Sequence, residues 1–232
     1  MNLRPREQWG TLSLESGEYG RSNLGVPLTV WRPTGNCRLL IFAGIHGEEA
    51  ETTLALSRAL RQLTEPLTHC AVVLAANPDG LLRGTRGNAQ GVDLNRNFPT
   101  SDWQPVAVTH RSTLDDPSDV LLSPGSEPAS EPETRALIAL VEELKPEAAI
   151  ALHAPLACID DDNSSPLGQW IAEQTRLPLV QDVGYATPGS FGTWGGERGL
   201  TVVTYEFPLA TSDDIVRDHV PVLVDLLMHH VP

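Results

Sequence analysis

The sequence predicts an α/β protein with a mixed, mostly parallel sheet flanked by helices. Three observations lead there: short apolar runs end at turn residues, segments of helical periodicity stand between them, and ionisable residues follow several of the runs directly. Strands that alternate with helices imply a mostly parallel sheet.

The first run is Arg38-Leu-Leu-Ile-Phe-Ala-Gly44, which reads as a strand closed by glycine. From Ala50 to Leu63, Leu54, Leu56, Ala59, Leu60 and Leu63 recur at helical spacing, so a helix follows. A second strand, Cys70 to Ala76, stops at Asn77-Pro-Asp-Gly80, a sequence with strong turn chemistry. Thr100 to Ser130 is rich in Pro, Ser and Asp and lacks periodicity, a long connection of the kind that borders functional sites.

Ser130-Glu-Pro-Glu133 reads as a capping box with serine at the cap, and the helix it opens runs to about Lys145. Ala148 to Leu152 and Leu200 to Tyr205 are two further strands, the second rich in β-branched residues. Asp213 to His229 closes the chain as an amphipathic helix. There is no internal repeat, and residues 1–232 read as a single domain.

Charge narrows the function. Sixteen basic against thirty acidic residues give a formal net charge of −14, which opposes nucleic acid or an anionic membrane as partner. The basic residues are arginines apart from Lys145, and Arg83, Arg86 and Arg96 cluster. Three widely spaced cysteines indicate neither a disulfide framework nor a thiolate metal site. The N-terminus lacks an apolar stretch after its basic residues, so a cytoplasmic protein is expected. A homodimer is compatible with the sequence, although no feature calls for one.

Four residues fit for metal or acid–base work follow the ends of the strands: His46 and Glu49 after the first, His153 after Ala148–Leu152, and Glu206 after Leu200–Tyr205. In open α/β sheets that edge is where ligands bind. Catalytic zinc takes three protein ligands and leaves a position for water, and a His-His-Glu set satisfies this. Singly, His46 reads equally as a loop histidine capping the next helix and His153 as a core histidine. Together, at matching strand ends, they read as ligands.

Gly47 permits the bend that brings two side chains of one turn to one ion, while Glu48 and Glu51 compete with Glu49 for the carboxylate position. Glu206, ending an apolar strand, is a candidate general base whose pKa burial should raise. Gly84 to Pro99 is too polar for a core element and reads as a binding loop. Asn95 and Arg96 form an anion clamp there, and Arg86 is a candidate oxyanion stabiliser.

Taken in order, His46-x-x-Glu49, Asn77-Pro-Asp-Gly80, Arg83-x-x-Arg86, Gly91-Val-Asp-Leu-Asn-Arg-Asn-Phe-Pro99, His153 and Glu206 resemble the signature of the zinc carboxypeptidases. The resemblance implies a zinc-carboxypeptidase-like fold and one zinc per chain, with Glu49 rather than Glu48 as the carboxylate ligand. It further implies that Arg86 polarises the scissile carbonyl and that Asn95 with Arg96 hold a terminal carboxylate.

Ser130-Glu-Pro-Glu-Thr134, His153-Ala-Pro-Leu-Ala-Cys-Ile-Asp160 and Tyr185-Ala-Thr-Pro-Gly-Ser-Phe-Gly192 are similar to the short bacterial murein-peptide amidases of that family. This likeness implies a small murein-peptide substrate, L-Ala-γ-D-Glu-meso-diaminopimelate, cut at the γ-D-glutamyl bond during cell-wall recycling. Pro188 stands where digestive carboxypeptidases carry a tyrosine before Gly-Ser, which argues against their specificity. Asp160, Asp161 and Arg198 are candidates for binding the diaminopimelate side chain, unranked by sequence. The alternatives are an N-acyl amino-acid deacylase of the aspartoacylase kind, a general zinc carboxypeptidase, and a binder of carboxylate-terminated peptides that lacks turnover.

Overall fold

The computed structural model describes residues 5–8, 10, 12, 14–112 and 118–229. The N-terminal reading above rests partly on residues 1–4 and 9, and the long connection partly on 113–117, which lie outside the described residues.

An antiparallel hairpin comes first, β1 (Gly17–Arg21) with β2 (Pro27–Val30). Then follow β3 (Leu39–Phe42), α1 (Ala50–Leu60), β4 (Cys70–Val73) and the short α2 (Pro78–Arg83). A second hairpin pairs β5 (Val108–Ser112) with β6 (Ser118–Leu122). The chain continues through α3 (Pro132–Leu144), β7 (Ala148–His153), β8 (Leu156–Asp160), α4 (Pro166–Thr175) and β9 (Leu179–Val180). It ends with α5 (Phe191–Gly196), β10 (Thr201–Pro208) and α6 (Ser212–Met228).

Six strands make the central sheet in the order β4-β3-β7-β10-β8-β9. Every neighbouring pair is parallel except β10 with β8, so the sheet is mixed and mostly parallel, as the alternation of elements predicts. Successive side chains of a strand point to opposite faces. Ile41, Ile150, Val203 and Tyr205 accordingly join one apolar cluster with Leu56 of α1, Ile171 of α4 and Leu223 of α6. Leu40, Phe42, Ala149 and Ala151 join the other, with Leu137 of α3, Phe191 and Trp194 of α5, and Phe98. Both faces are covered, which is why these strands read as continuous apolar runs.

Four local expectations differ from the structure. Asn77-Pro-Asp-Gly80 opens α2 rather than a simple turn: Asn77 is its N-cap, accepting from the Gly80 N–H at 2.9 Å, and Pro78 takes the first turn, where its missing donor costs nothing. The N-cap of α3 is Glu131, one residue beyond the expected Ser130, and its side chain makes no capping bond. Glu133 is drawn away instead, accepting from Asn23 N at 2.8 Å and from Asn88 Nδ2 at 3.2 Å.

The Thr100–Ser130 connection carries the β5–β6 hairpin, which its polar composition hid. β10 runs on to Pro208, so Glu206 lies inside the strand rather than past its end. The cause is β8, whose antiparallel pairing continues to Pro208 opposite Leu156. Among the described residues no helix is long and apolar enough to cross a membrane.

Candidate active site

The loop from β3 into α1 delivers His46 and Glu49. Its shape depends on Gly47 for closeness rather than for an unusual φ: a Cβ there would lie 2.0 Å from the carbonyl carbon of Gly80 and 2.2 Å from Leu81 N. Buried Asn77 binds the two segments, its Nδ2 donating to Ile45 O at 3.2 Å and to Arg86 O at 3.4 Å. Glu49 occupies the N-cap of α1, yet its carboxylate makes no cap and is free for the site. His46, for its part, caps nothing.

His46 Nδ1 lies 2.7 Å from Glu49 Oε1, and His153 Nδ1 lies 3.1 Å from both Glu49 Oε2 and His46 Nδ1. All three residues are buried, and their ligating atoms fall within 4.8 Å of one another. His46 Nε2 is committed elsewhere, to Asp93 Oδ1 at 3.1 Å. Two imidazole nitrogens face each other with a carboxylate between them, and a single proton shared by the pair leaves the rest of the set unsatisfied. A divalent cation satisfies all of it, and nitrogen–nitrogen–oxygen is a donor set that zinc accepts. Glu48 is not in this group: its Oε1 meets His110 Nε2 at 2.7 Å.

Electrostatics agree with the donor set. Burial opposes the charge on Glu49, but His46 and His153 beside it hold its carboxyl well below the usual carboxylate range. Asp93 is also buried, and Arg86 and His46 hold it low. Arg86 donates through Nε to Asp93 Oδ2 at 2.9 Å and through Nη1 to Glu49 Oε1 at 3.3 Å, so one aspartate orients both a candidate ligand and the neighbouring cation.

The Asp93-Leu-Asn-Arg-Asn97 segment divides its polar groups. Asn97, fully buried, is structural: its Nδ2 donates to Pro124 O at 2.8 Å and its Oδ1 accepts from Glu131 N at 3.1 Å. Asn95 Oδ1 accepts from Phe191 N at 2.8 Å, which fixes the amide and leaves its NH2 to offer. Arg96 is buried, donates through Nη1 to the Asn95 carbonyl at 2.7 Å, and has an Nε with no partner.

Glu206 reaches the site from β10, where it is the register partner of His153 on β7. Its Oε2 accepts from Leu156 N at 3.3 Å. Burial raises its pKa, against the pull of His153.

His46, Glu49, Arg86, Asn95, Arg96, His153 and Glu206 all line one cavity of about 760 Å³. The sequence reading missed three further contributors. Asp93 sat in a quoted motif without a role. His110 comes from the unexpected hairpin. Tyr185 opens another quoted motif, also without a role, and lines the cavity. Two of the three unranked side-chain candidates drop out. Asp161 spends its carboxylate on Asn163 N, Ser165 N and the Ser165 hydroxyl, and Arg198 lies over the Trp194 ring, 4.8 Å from its centroid, outside the cavity wall.

Comparison with known proteins gives the lineage. A model of the zinc carboxypeptidase family matches residues 17–158. Murein peptide amidase A of Escherichia coli K12 is 44% identical over 231 residues, covering 98% of this chain and 95% of that protein. Its counterpart in Vibrio campbellii is 40% identical over 232 residues, covering 99% and 94%. The crystal structure of a murein-tripeptide amidase from Escherichia coli O157 superposes with a TM-score of 0.94 at 42% identity, covering all of this chain and 99% of that one. With a family model over most of the chain and close relatives over nearly all of it, this protein belongs to the zinc carboxypeptidase family.

Proposed function

We propose that the chain is a zinc-dependent amidase that cleaves the γ-D-glutamyl–meso-diaminopimelate bond of L-Ala-γ-D-Glu-meso-diaminopimelate, in cytoplasmic recycling of cell-wall peptides. Residues 1–232 act as one catalytic domain with one zinc. The observation that carries this reading is a conjunction in one cavity: a buried His-Glu-His donor set, a buried carboxylate on the adjacent strand, and a buried arginine with an unpartnered Nε. Full-length similarity to murein peptide amidases supplies the substrate class.

His46, Glu49 and His153 are assigned to the metal. Zinc held there supplies a Lewis acid that polarises the amide carbonyl and makes water nucleophilic near neutral pH. Glu206 takes the proton of the attacking water and returns it to the leaving amine. Arg86, held by Asp93 and Glu49 at the cavity wall, donates to the oxygen that gains charge. Arg96 and the amide of Asn95 grip the carboxylate next to the scissile bond, which converts attack into an effectively intramolecular step.

The test is to incubate the zinc-loaded protein with L-Ala-γ-D-Glu-meso-diaminopimelate, with and without a chelator, and to follow free diaminopimelate by mass spectrometry. Chelator-sensitive release is expected. No release from protein with zinc demonstrably bound sinks the reading.

A further inference from the structure

The cavity is polarised beyond its reacting centre. Arg86 and Arg96 line it, and so do Asp160 and Asp162. On the antiparallel pair β8 and β10, Asp160 is opposite Thr204 and Cys158 is opposite Glu206. Directly paired residues share a face of a sheet, so Asp160 projects to the side from which Thr204 and Glu206 line the cavity. It stands one diagonal step from Glu206, about 7–8 Å along the sheet.

Among the described residues Asp160 Oδ1 has no donor, unlike the carboxylate of Asp161. Asp161 next to it is saturated by the backbone and hydroxyl donors of the following turn. Asp160 Oδ1 is buried and has no hydrogen-bond partner among the described residues. Burial first, and then Asp162, Glu206, Asp182 and Asp161, push its carboxyl up to about 6. The surroundings are short of positive charge, and a buried carboxylate oxygen without a donor is rare unless something occupies it.

We propose that Asp160 accepts the ammonium group at the far end of the leaving residue's side chain, and so selects a leaving residue that carries a distal amino group. The inference rests on the amidase reading above. Diaminopimelate has such an ammonium, separated by a short methylene chain from the centre whose carboxylate Asn95 and Arg96 hold. A carboxylate near the catalytic residues disfavours a side chain that ends in a carboxylate with no ammonium beside it, and gains little from an aliphatic one, so this single group discriminates by attraction and repulsion together.

The test uses three γ-D-glutamyl peptides that differ only in the leaving residue: meso-diaminopimelate, L-lysine, which keeps the ammonium, and L-2-aminopimelate, which keeps the distal carboxylate and lacks the ammonium. For the zinc-loaded wild type, kcat/KM on the two ammonium-bearing substrates is expected to exceed that on aminopimelate by about 10–100-fold, the size of a charge-assisted hydrogen bond. Asp160→Asn should bring that ratio close to one, slowing the first two and relieving the repulsion of aminopimelate, and Asp160→Ser provides the same readout if the asparagine variant does not fold. Equal rates in the wild type overturn the role of Asp160 and leave the amidase reading intact, as does a variant that slows all three substrates alike. Cleavage of none of the three by zinc-loaded wild type removes the amidase reading, and this inference with it.

Discussion

Glu206 and His153 are direct register partners on the adjacent parallel strands β10 and β7, and both project into the same cavity. The proposed base and a proposed metal ligand are therefore held in relation by a sheet ladder rather than by loops, which suits a constellation that must be placed to within a fraction of an ångström. Glu206→Gln preserves shape and removes only the ability to take a proton. Turnover of the murein tripeptide should fall by about 10²–10⁴-fold, the usual contribution of a positioned base, while zinc stays bound through dialysis. Loss of zinc together with activity would move Glu206 from base to ligand.

The same residue sets the acid side of the pH profile. Burial raises the Glu206 pKa. A base works only when ionised, so activity is present above that raised value and is lost as pH falls through it. The acid limb of kcat/KM should lie above the ordinary glutamate value of about 4.3, and the residual activity of Glu206→Gln should lack it. A limb at or below the ordinary value contradicts the assignment.

Asp93 joins His46 Nε2 to Arg86 Nε through its two oxygens, and one of those oxygens also accepts from Asn95 N at 2.9 Å. Carboxylates behind ligating histidines fix the tautomer and ring orientation. Asp93→Asn should weaken zinc affinity by about 10–100-fold, measured by competition with a chromogenic chelator. Unchanged affinity would limit Asp93 to holding Arg86.

What the sequence made legible follows from physical locality. The strands β3, β4 and β7 were readable because they are buried on both faces, and β10 because Val203 and Tyr205 on its buried face stand among β-branched residues; these runs needed no knowledge of partners. His46 and Glu49 were readable because one short loop carries both. β8 was missed because its apolar run is short and ends in Asp160, which lines the cavity. Its antiparallel pairing with β10 is a tertiary fact, and it moves the end of β10 past Glu206. α5 is Phe-Gly-Thr-Trp-Gly-Gly, a poor helix former stabilised by the packing of Phe191 and Trp194 against Phe98. Ser130 lost the cap of α3 because its hydroxyl donates to Glu131 Oε1 at 2.8 Å and meets Asn97 Nδ2 at 3.0 Å, partners invisible to a local motif.

Arg96 is buried with an unpartnered Nε, and burial, reinforced by nearby Arg86, lowers its pKa. A cation in that state gains from an anion. Arg96→Ala should raise KM by about 10–100-fold for a substrate whose leaving residue has a free carboxylate, given hydrogen bonds to charged groups of roughly 1.5–3 kcal/mol. The matching carboxamide substrate, poor for the wild type, should be nearly unaffected. Equal losses on both substrates would point to collapse of the loop rather than loss of a clamp.

Gly47 gives the most local test of how the site is held. Its α-carbon packs so close to the start of α2 that a methyl group would stand 2.0 Å from Gly80 C and 2.4 Å from Gly80 O, contacts with backbone that cannot rotate away. Asn77 ties the opposing segment down, so strain must pass into the loop bearing His46 and Glu49 or into α2 itself. Overpacking of this kind costs about 1–3 kcal/mol. Gly47→Ala should lower the midpoint of urea unfolding accordingly and weaken zinc binding as well, because the ligands are one and two residues away. If stability falls while chelator competition shows unchanged affinity, the loop is the stiffer partner and α2 yields. Arg86, whose carbonyl accepts from Asn77, should then be the group displaced, and kcat should drop with zinc still bound.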